Sequence, residues 1–250
     1  MRKYILLTLI VLVPFVSACC GIPDIGDLIQ ETGELIQVSG NVVTEEFSIT
    51  GFDQVEVSHA FTADIRQGGE FSVIIDIDES LIEYLQVVKE GSTLKIGLEP
   101  DHRYVIADAA RRAEVTMPDL AGLDLSGASR ATISGFKSSA ALTVGVSGAS
   151  GLRGDIECAD ARFDISGASD LTLRGSAEDV IIDASGASRV DLSGFPVADA
   201  SVEASGASRV TVNASGRLDA DASGASHVTY LGRPSLGTID TSGASSVEPE

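Results

Sequence analysis

Short alternating runs of apolar and polar residues fill the chain from residue 41 to residue 118. Examples are residues 55–57, 62–65 and 71–77, each bounded by turn-forming residues. Successive side chains of a β-strand point to opposite faces, so these runs predict half-buried strands. Two further runs, residues 85–89 and 93–98, flank a Glu-Gly-Ser turn and predict a hairpin. Acidic and serine residues at the start of residues 78–84 predict one or two turns of helix.

A repeated tetrapeptide dominates the chain from residue 120 onwards. Ser-Gly-Ala-Ser begins at Ser126, Ser147, Ser166, Ser185, Ser205, Ser223 and Ser242, at intervals of 21, 19, 19, 20, 18 and 19 residues. A period near 19 predicts stacked units, each too small to bury its own apolar face. A unit of this length has room for two or three strands of about three to five residues, which fits one coil of a β-helix. We therefore predict an all-β parallel solenoid with coils about 4.8 Å apart.

Acidic residues stand two positions before most copies of the motif. If the coils stack in register, Asp164, Asp183, Glu203, Asp221 and Asp240 form one column of carboxylates, a possible cation or ligand ladder. The residue between the acid and the motif is mostly apolar, so alternation places it in the core and the acid outside.

Stacked carboxylates repel one another, so the ladder needs compensation. Arg130, Arg189 and Arg209 are candidate neighbouring partners, while water and salt screen the remaining charge. Calcium between adjacent carboxylates is the alternative, because this ion favours several oxygen ligands. No other cofactor is indicated.

The first residues predict export. Arg2 and Lys3 precede an apolar run over residues 4–16, and Val16-Ser17-Ala18-Cys19 follows. This order is that of a secretory signal peptide, and the run is shorter than the roughly 20 residues that span a bilayer. The last four residues resemble the bacterial lipobox, which implies a signal peptide over residues 1–18 and lipidation of Cys19. Ordinary cleavage near Ala18 is the alternative.

The charge of the mature chain limits its partners. Removing residues 1–18 leaves 17 − 2 = 15 basic and 37 acidic side chains, a net charge of −22. Such a surface repels nucleic acid and anionic lipids, whereas cations and basic proteins remain possible partners. The charge can also serve solubility alone. Only Cys158 lies beyond the N-terminal cysteines, so we expect no disulfide framework and a small buried residue at this position.

Catalytic motifs are not evident in the sequence. No serine lies in Gly-x-Ser-x-Gly, and the only histidines are His59, His102 and His227. Seven copies of one serine motif indicate a structural role, since catalysis needs a single positioned nucleophile. His102-Arg103-Tyr104 is the one local mixture typical of a binding site, with a plain turn as the alternative. Tyr104 and Tyr230 are the candidate aromatic contacts, with packing on the edge of a coil as the alternative for each.

The order of these segments resembles a known family. Residues 49–57, 62–69, 71–78, 94–96 and 115–120, followed by the Ser-Gly repeats, are similar to the bacterial family called putative auto-transporter adhesin, head GIN domain. The resemblance covers about residues 40–246. It implies a right-handed β-helix-like fold in a secreted or envelope protein, and it supplies no catalytic residues.

Together these observations predict a tether over residues 19–40 and one solenoid domain over residues 41–246. Residues 41–119 are expected to form less regular coils, and residues 120–246 the repeats. We predict a non-catalytic, lipid-anchored, extracytoplasmic binding module or adhesin for a polysaccharide or surface protein. The alternatives are an envelope scaffold without a ligand and, third, a polysaccharide-active enzyme. An exposed patch that interrupts the repeat would favour binding, and a uniformly polar surface would favour the scaffold.

Overall fold

The structure, a computed structural model, describes residues 35–100, 102–105 and 109–250. The predicted signal peptide, Cys19 and the tether up to residue 34 lie outside the described residues. Among the described residues, no helix is long and apolar enough to cross a membrane. The one helix in the described part of the chain is a 3-10 helix, Glu79–Tyr84. The strands are β1 (Leu35–Gln37), β2 (Val42–Phe47), β3 (Gln54–Val57), β4 (Thr62–Gln67), β5 (Ser72–Asp78), β6 (Leu85–Glu90), β7 (Thr93–Leu98), β8 (Arg103–Val105), β9 (Arg111–Met117), β10 (Gly122–Leu125), β11 (Arg130–Lys137), β12 (Leu142–Val146), β13 (Gly151–Glu157), β14 (Ala161–Ile165), β15 (Asp170–Ser176), β16 (Asp179–Ala184), β17 (Arg189–Val197), β18 (Asp199–Ala204), β19 (Arg209–Ala214), β20 (Arg217–Ala222), β21 (His227–Gly232), β22 (Ser235–Thr241) and β23 (Ser246–Pro249).

Two long sheets contain nearly all of these strands. Sheet I has ten strands in the order β22-β20-β18-β16-β14-β12-β10-β3-β7-β6, and sheet II has eleven in the order β2-β5-β9-β4-β11-β13-β15-β17-β19-β21-β23. From β10 onwards the chain alternates between the sheets, and each new strand pairs in parallel with the strand one coil earlier. The chain is therefore a parallel β-solenoid of about seven turns with roughly 19-residue spacing, which confirms the predicted fold class.

Each coil has two strands, and several are longer than the three to five residues expected from the sequence. β15 has seven residues and β17 has nine. Gly135 and Gly175 lie inside strands with φ of 78° and 119°, so the backbone bends there and the strand continues.

The end of the solenoid at β2 and β6 is less regular than the stacked coils. β2, β5 and β9 pair antiparallel, and β6 and β7 form the predicted hairpin. The 3-10 helix leads from β5 in sheet II to β6 in sheet I and buries Leu81. Residues 35–37, in the predicted tether, pair with β8 in a separate two-stranded sheet.

The core lies between the two sheets and follows the alternation. Inward positions of consecutive coils align in columns, and the column Val55, Leu123, Val144, Phe163, Ile182, Val202 is fully buried. Burying a side chain of this size contributes about 1.5–3 kcal/mol to the stability of the fold. A single coil cannot bury these side chains alone, so the stability comes from the stacking of coils.

The Ser-Gly-Ala-Ser motif forms the corner from sheet I to sheet II. Its glycine has a positive φ in all seven copies, for example 74° at Gly186. A Cβ on Gly186 would fall against the carbonyl oxygen of Gly167 in the preceding coil. That carbonyl accepts a 2.8 Å hydrogen bond from the Ala187 N–H, so the corners stack backbone to backbone. The corners approach this closely from the third motif onwards, at Gly167, Gly186, Gly206, Gly224 and Gly243, and a side chain at these positions would collide with the preceding corner.

Candidate functional site

The predicted acidic ladder lies on the outer face of sheet I. Strand register aligns Asp164 with Asp183, Asp183 with Glu203, Glu203 with Asp221, and Asp221 with Asp240. Asp183, Glu203, Asp221 and Asp240 are exposed and Asp164 is half-buried. The alignment is as the sequence predicted; a role in binding cations or ligands stays a prediction.

The same column continues towards β7 beyond the five predicted positions. Register takes it through Gly145 to Asp124, Glu56 and Lys95. Burial raises the pKa of Asp124, and the carboxylates of Glu56 and Asp164 raise it further. The Lys95 ammonium ends the column with ion pairs to Glu56 at 3.4 Å and Glu90 at 2.9 Å.

The expected arginine partners of the ladder are elsewhere. Arg130, Arg189 and Arg209 each begin a strand of sheet II, because the chain has already turned the corner at these positions. Among the described residues none of the three forms an ion pair. Arg162 pairs with Asp164 instead, at 2.8 and 3.1 Å.

Calcium finds no compact ligand set on this face. Within the part of the chain that the structure describes, no group of three or more His, Cys, Asp or Glu side chains is arranged to hold a metal ion. A row of carboxylates one coil apart offers pairs of neighbours, whereas calcium takes six to eight oxygen ligands.

A groove of about 370 Å³ runs beside the ladder on the same face. It crosses five strands, β12, β14, β16, β18 and β20, near their first residues. One side is formed by Ala141, Asp160, Asp179, Asp199 and Arg217, and the other by Thr143, Arg162, Ile181, Ser201 and Asp219. Leu142, Ala161, Val180 and Ala200 lie between these two sides of the groove.

Ile181 interrupts the polar outer surface halfway along the groove, in the side that lies nearer the ladder. Its side chain is 49% exposed, although it lies on the outward side of β16 between Asp179 and Asp183. Register places it between Arg162 and Ser201 of the neighbouring strands. The sequence analysis did not single out Ile181, but the unbroken apolar run 180–182 in a chain of alternating strands is the signal that could have found it.

The two arginines of the groove are held by aspartates on their own strands. Arg162 binds Asp164, and Arg217 binds Asp219 at 2.6 and 2.7 Å. Hydrogen bonds from Arg217 and from the Thr238 N–H lower the pKa of Asp219 to about 2.

The remaining carboxylates of the groove, those of Asp160, Asp179 and Asp199, form no ion pair among the described residues. Asp179 accepts a 3.1 Å hydrogen bond from the Asp199 N–H, and Asp199 accepts one of 2.7 Å from the Arg217 N–H. Because both arginines are already paired, these aspartates and Asp160 keep the groove negative.

An eighth corner, missed in the sequence, precedes the seven motifs. Ser58-His59-Ala60-Phe61 lies under Ser126–Ser129, since the Ser126 N–H donates to the Val57 carbonyl and the Arg130 N–H to that of Phe61. His59 and Ala60 stand at the positions of the motif glycine and the motif alanine, and their φ angles are 56° and 58°. The motif glycine has a positive φ in every copy, and the motif alanine has one at Ala128. Replacement of both the glycine and the last serine hid the motif.

The Ser58 and His59 side chains touch, but their geometry is that of a braced turn. His59 Nδ1 accepts from the Leu98 N–H at 3.3 Å, so the Ser58 hydroxyl, 2.8 Å away, donates to the same nitrogen. Burial lowers the pKa of His59. Protonating Nδ1 would leave it facing the Leu98 N–H as a second donor, and this loss opposes the transfer of a proton from Ser58 to the imidazole.

The other residues noted in the sequence lie apart from the groove. His102 and Tyr104 cluster with Tyr84, with ring centroids 4.7 Å apart for Tyr84 and His102. Tyr230 is half-buried against the core. Cys158 is half-buried rather than buried, and burial, with the Asp160 carboxylate, raises its pKa to about 11.

Comparison with known proteins identifies the family. The sequence model described as putative auto-transporter adhesin, head GIN domain, matches residues 51–234. The chain belongs to this family. Membership indicates a surface or envelope location and an adhesin-like role, and it gives no catalytic residue. No curated protein matches the sequence significantly.

Several crystal structures share the fold. A putative adhesin from Bacteroides fragilis is 18% identical with a TM-score of 0.77, covering 86% of this chain and 100% of that one. A putative lipid binding protein from Parabacteroides distasonis is 17% identical with a TM-score of 0.70, covering 87% and 100%. A putative adhesin from Parabacteroides merdae is 16% identical with a TM-score of 0.67, covering 86% and 99%. At these identities the likeness establishes the fold alone.

Proposed function

We propose that the chain is a non-catalytic binding module of the cell envelope, anchored by a lipid on Cys19, that contacts its ligand through the groove of sheet I. The observation that carries the proposal is the exposed Ile181 in a groove that crosses five coils. Family membership supports an adhesin-like role.

The groove favours binding over the scaffold alternative. A single exposed isoleucine is ordinary on a protein surface. Ile181, however, stands where the neighbouring coils place Arg162 and Ser201, and it lies inside a concave site. A scaffold that only holds other molecules apart needs neither an exposed apolar side chain nor a concave site.

The same groove gives little support to the enzyme alternative. Acid–base catalysis needs a proton acceptor near the reacting atom and a group that stabilises developing charge. Carboxylates that could accept a proton line the groove, but its two arginines, Arg162 and Arg217, are both engaged by aspartates and are not available to stabilise developing charge.

The test is retention of the full chain, purified in detergent, on a panel of immobilised ligands with and without calcium. The panel holds envelope polysaccharides, host polysaccharides, and peptides of either charge. We expect saturable retention on at least one class, weakened about tenfold or more by Ile181→Ser.

Val42→Ser is the matched control, since Val42 is 57% exposed but lies in sheet II. Equal loss with both variants, or no saturable retention on the whole panel, overturns the proposal. Retention only with calcium would transfer the site from the groove to the acidic ladder, and the proposal as stated would fail.

A further inference from the structure

We infer that the groove of sheet I takes an extended polypeptide segment that carries basic side chains on both sides of one apolar side chain. The inference rests on the proposed function and names the chemical class of its ligand.

The shape of the groove suits one extended chain. It follows the stacking direction over five strands, from β12 to β20. Strands are about 4.8 Å apart, so the groove is about 19 Å long, the length of about six residues of extended polypeptide.

The carboxylates around Ile181 favour a ligand that carries positive charge. The positions two residues before and after Arg162, Ile181 and Ser201 hold six acidic residues: Asp164 on β14, Asp179 and Asp183 on β16, Asp199 and Glu203 on β18, and Asp160 immediately before β14. The one basic residue among them, Arg162, is bound to Asp164. When an apolar side chain of the ligand packs on Ile181, the ligand residues on either side of it lie against carboxylates. Basic residues are attracted at these positions, and acidic residues are repelled.

Several weak contacts must act together in such a complex. One exposed ion pair contributes little because water and salt screen it. A segment that places two or more basic side chains along the rows of Asp179 and Asp183 gains from all of them at once. The apolar side chain fixes which residue stands at Ile181, and it supplies the contact that salt does not weaken.

Other ligand classes match the groove less well. An acidic polysaccharide or an anionic membrane meets a face of its own sign. A neutral sugar finds no aromatic ring among the lining residues on which to stack. A divalent cation finds no cluster of three or more His, Cys, Asp or Glu ligands in the described part of the chain.

The experiment measures binding of three fluorescent peptides of about seven residues to the full chain in detergent, by anisotropy. The first combines lysine and glycine with one central leucine, the second replaces leucine by serine, and the third replaces lysine by glutamate. We expect the lysine–leucine peptide to bind at least tenfold more tightly than either of the others.

Variants separate the groove from general attraction to an acidic protein. Ile181→Ser should remove the preference for leucine over serine, and Asp179→Asn should reduce the dependence of the Kd on salt, because Asp179 lines the groove. Asp170→Asn is the control, because Asp170 is an exposed acid of sheet II. An equal effect of Asp170→Asn and Asp179→Asn, or equal binding of the leucine and serine peptides, overturns the inference.

The two failures are distinguishable. If a glycan is retained in a manner that needs Ile181 while the lysine–leucine peptide does not bind, the ligand class is wrong and the proposed function stands. If no ligand of either experiment shows a dependence on Ile181, both are wrong.

Discussion

At the scale of single residues, the motif glycine does two separable things. It adopts a positive φ, and it leaves room for the carbonyl of the coil before it. Either requirement disfavours a side chain, but only the second depends on stacking.

Gly186→Ala tests both requirements and Gly135→Ala tests one. Gly135 also has a positive φ, 78°, yet a Cβ there would have no atom within 4 Å. We expect Gly135→Ala to cost about 1–2 kcal/mol of unfolding free energy from backbone strain. Gly186→Ala should cost clearly more, because the corner must also move away from Gly167. Urea denaturation measures both, and equal costs would contradict the stacking explanation.

The last serine of the motif offers a second pair of variants. Ser226 is buried, and its hydroxyl lies 2.8 Å from the Ser223 carbonyl and 3.0 Å from that of Ala204. The equally buried hydroxyl of Ser169 has no hydrogen-bond partner among the residues that the structure describes. Ser226→Ala should therefore lower the unfolding free energy by about 1 kcal/mol, whereas Ser169→Ala should be neutral or slightly stabilising. Thermal denaturation of the two variants is sufficient; destabilisation by Ser169→Ala of the same size would contradict this account.

At the scale of the elements, the column of carboxylates in the ladder destabilises sheet I. Asp183 on β16 lies between Asp164 on β14 and Glu203 on β18, and like charges on facing strand positions destabilise a sheet. Asp183→Asn should raise the unfolding free energy by about 0.2–1 kcal/mol at low ionic strength.

The gain should shrink as salt is added, because salt screens exposed charges. Asp170→Asn is the control on β15, where the registered neighbour is Arg189. That variant should not stabilise the chain at any salt concentration. Stabilisation by both substitutions would indicate a general effect of net charge rather than of the ladder.

A buried carboxylate joins the 3-10 helix to the residues before β2. Asp78 accepts hydrogen bonds from the backbone and hydroxyl of both Ser39 and Ser80, and from the Gly40 N–H at 2.7 Å. Burial alone would raise the pKa of Asp78, but the hydrogen bonds from Ser80 and Ser39 outweigh it and hold the pKa far below its usual range.

This pKa predicts a pH dependence with a definite sign. The folded state resists protonation of Asp78, so the stabilisation is complete above the unfolded-state pKa of about 3.9 and is lost as pH falls below it. Asp78→Asn should lower the unfolding free energy at pH 7 by about 1–3 kcal/mol and flatten its decline below pH about 4. Urea denaturation between about pH 2.5 and 7 measures this. Asp53→Asn, at an exposed site, should change neither quantity.

At the scale of the whole molecule, attachment to a membrane is the prediction with the largest consequence. Cys19→Ser should release the full chain from the membrane fraction of expressing cells, because no acyl chain can then be added, while Cys20→Ser should leave it bound. Fractionation with mass spectrometry of the N-terminal peptide measures this. Release by Cys20→Ser alone would assign the lipid to Cys20.

Much of the architecture could be predicted from the sequence because it is periodic. Alternation fixes which side chains face inwards, as Ala184 and Val202 show by their burial. Asp183 and Glu203 each stand two residues before a copy of the motif, so their alignment followed from the sequence once the corners were assumed to stack. The corner glycines follow from the same repetition.

The tertiary structure decided what repetition leaves open. Alternation says that Arg189 points outwards, but not that the corner has carried it into sheet II, away from the acidic column. The corner at His59 was hidden because its backbone angles, rather than its residues, match the repeats. The groove arises where strands from five coils lie side by side, and the importance of Ile181 depends on side chains 19 or 20 residues away in sequence, Arg162 and Ser201. A local pattern determines the face of each strand, whereas a site on that face is made by neighbours that only folding brings together.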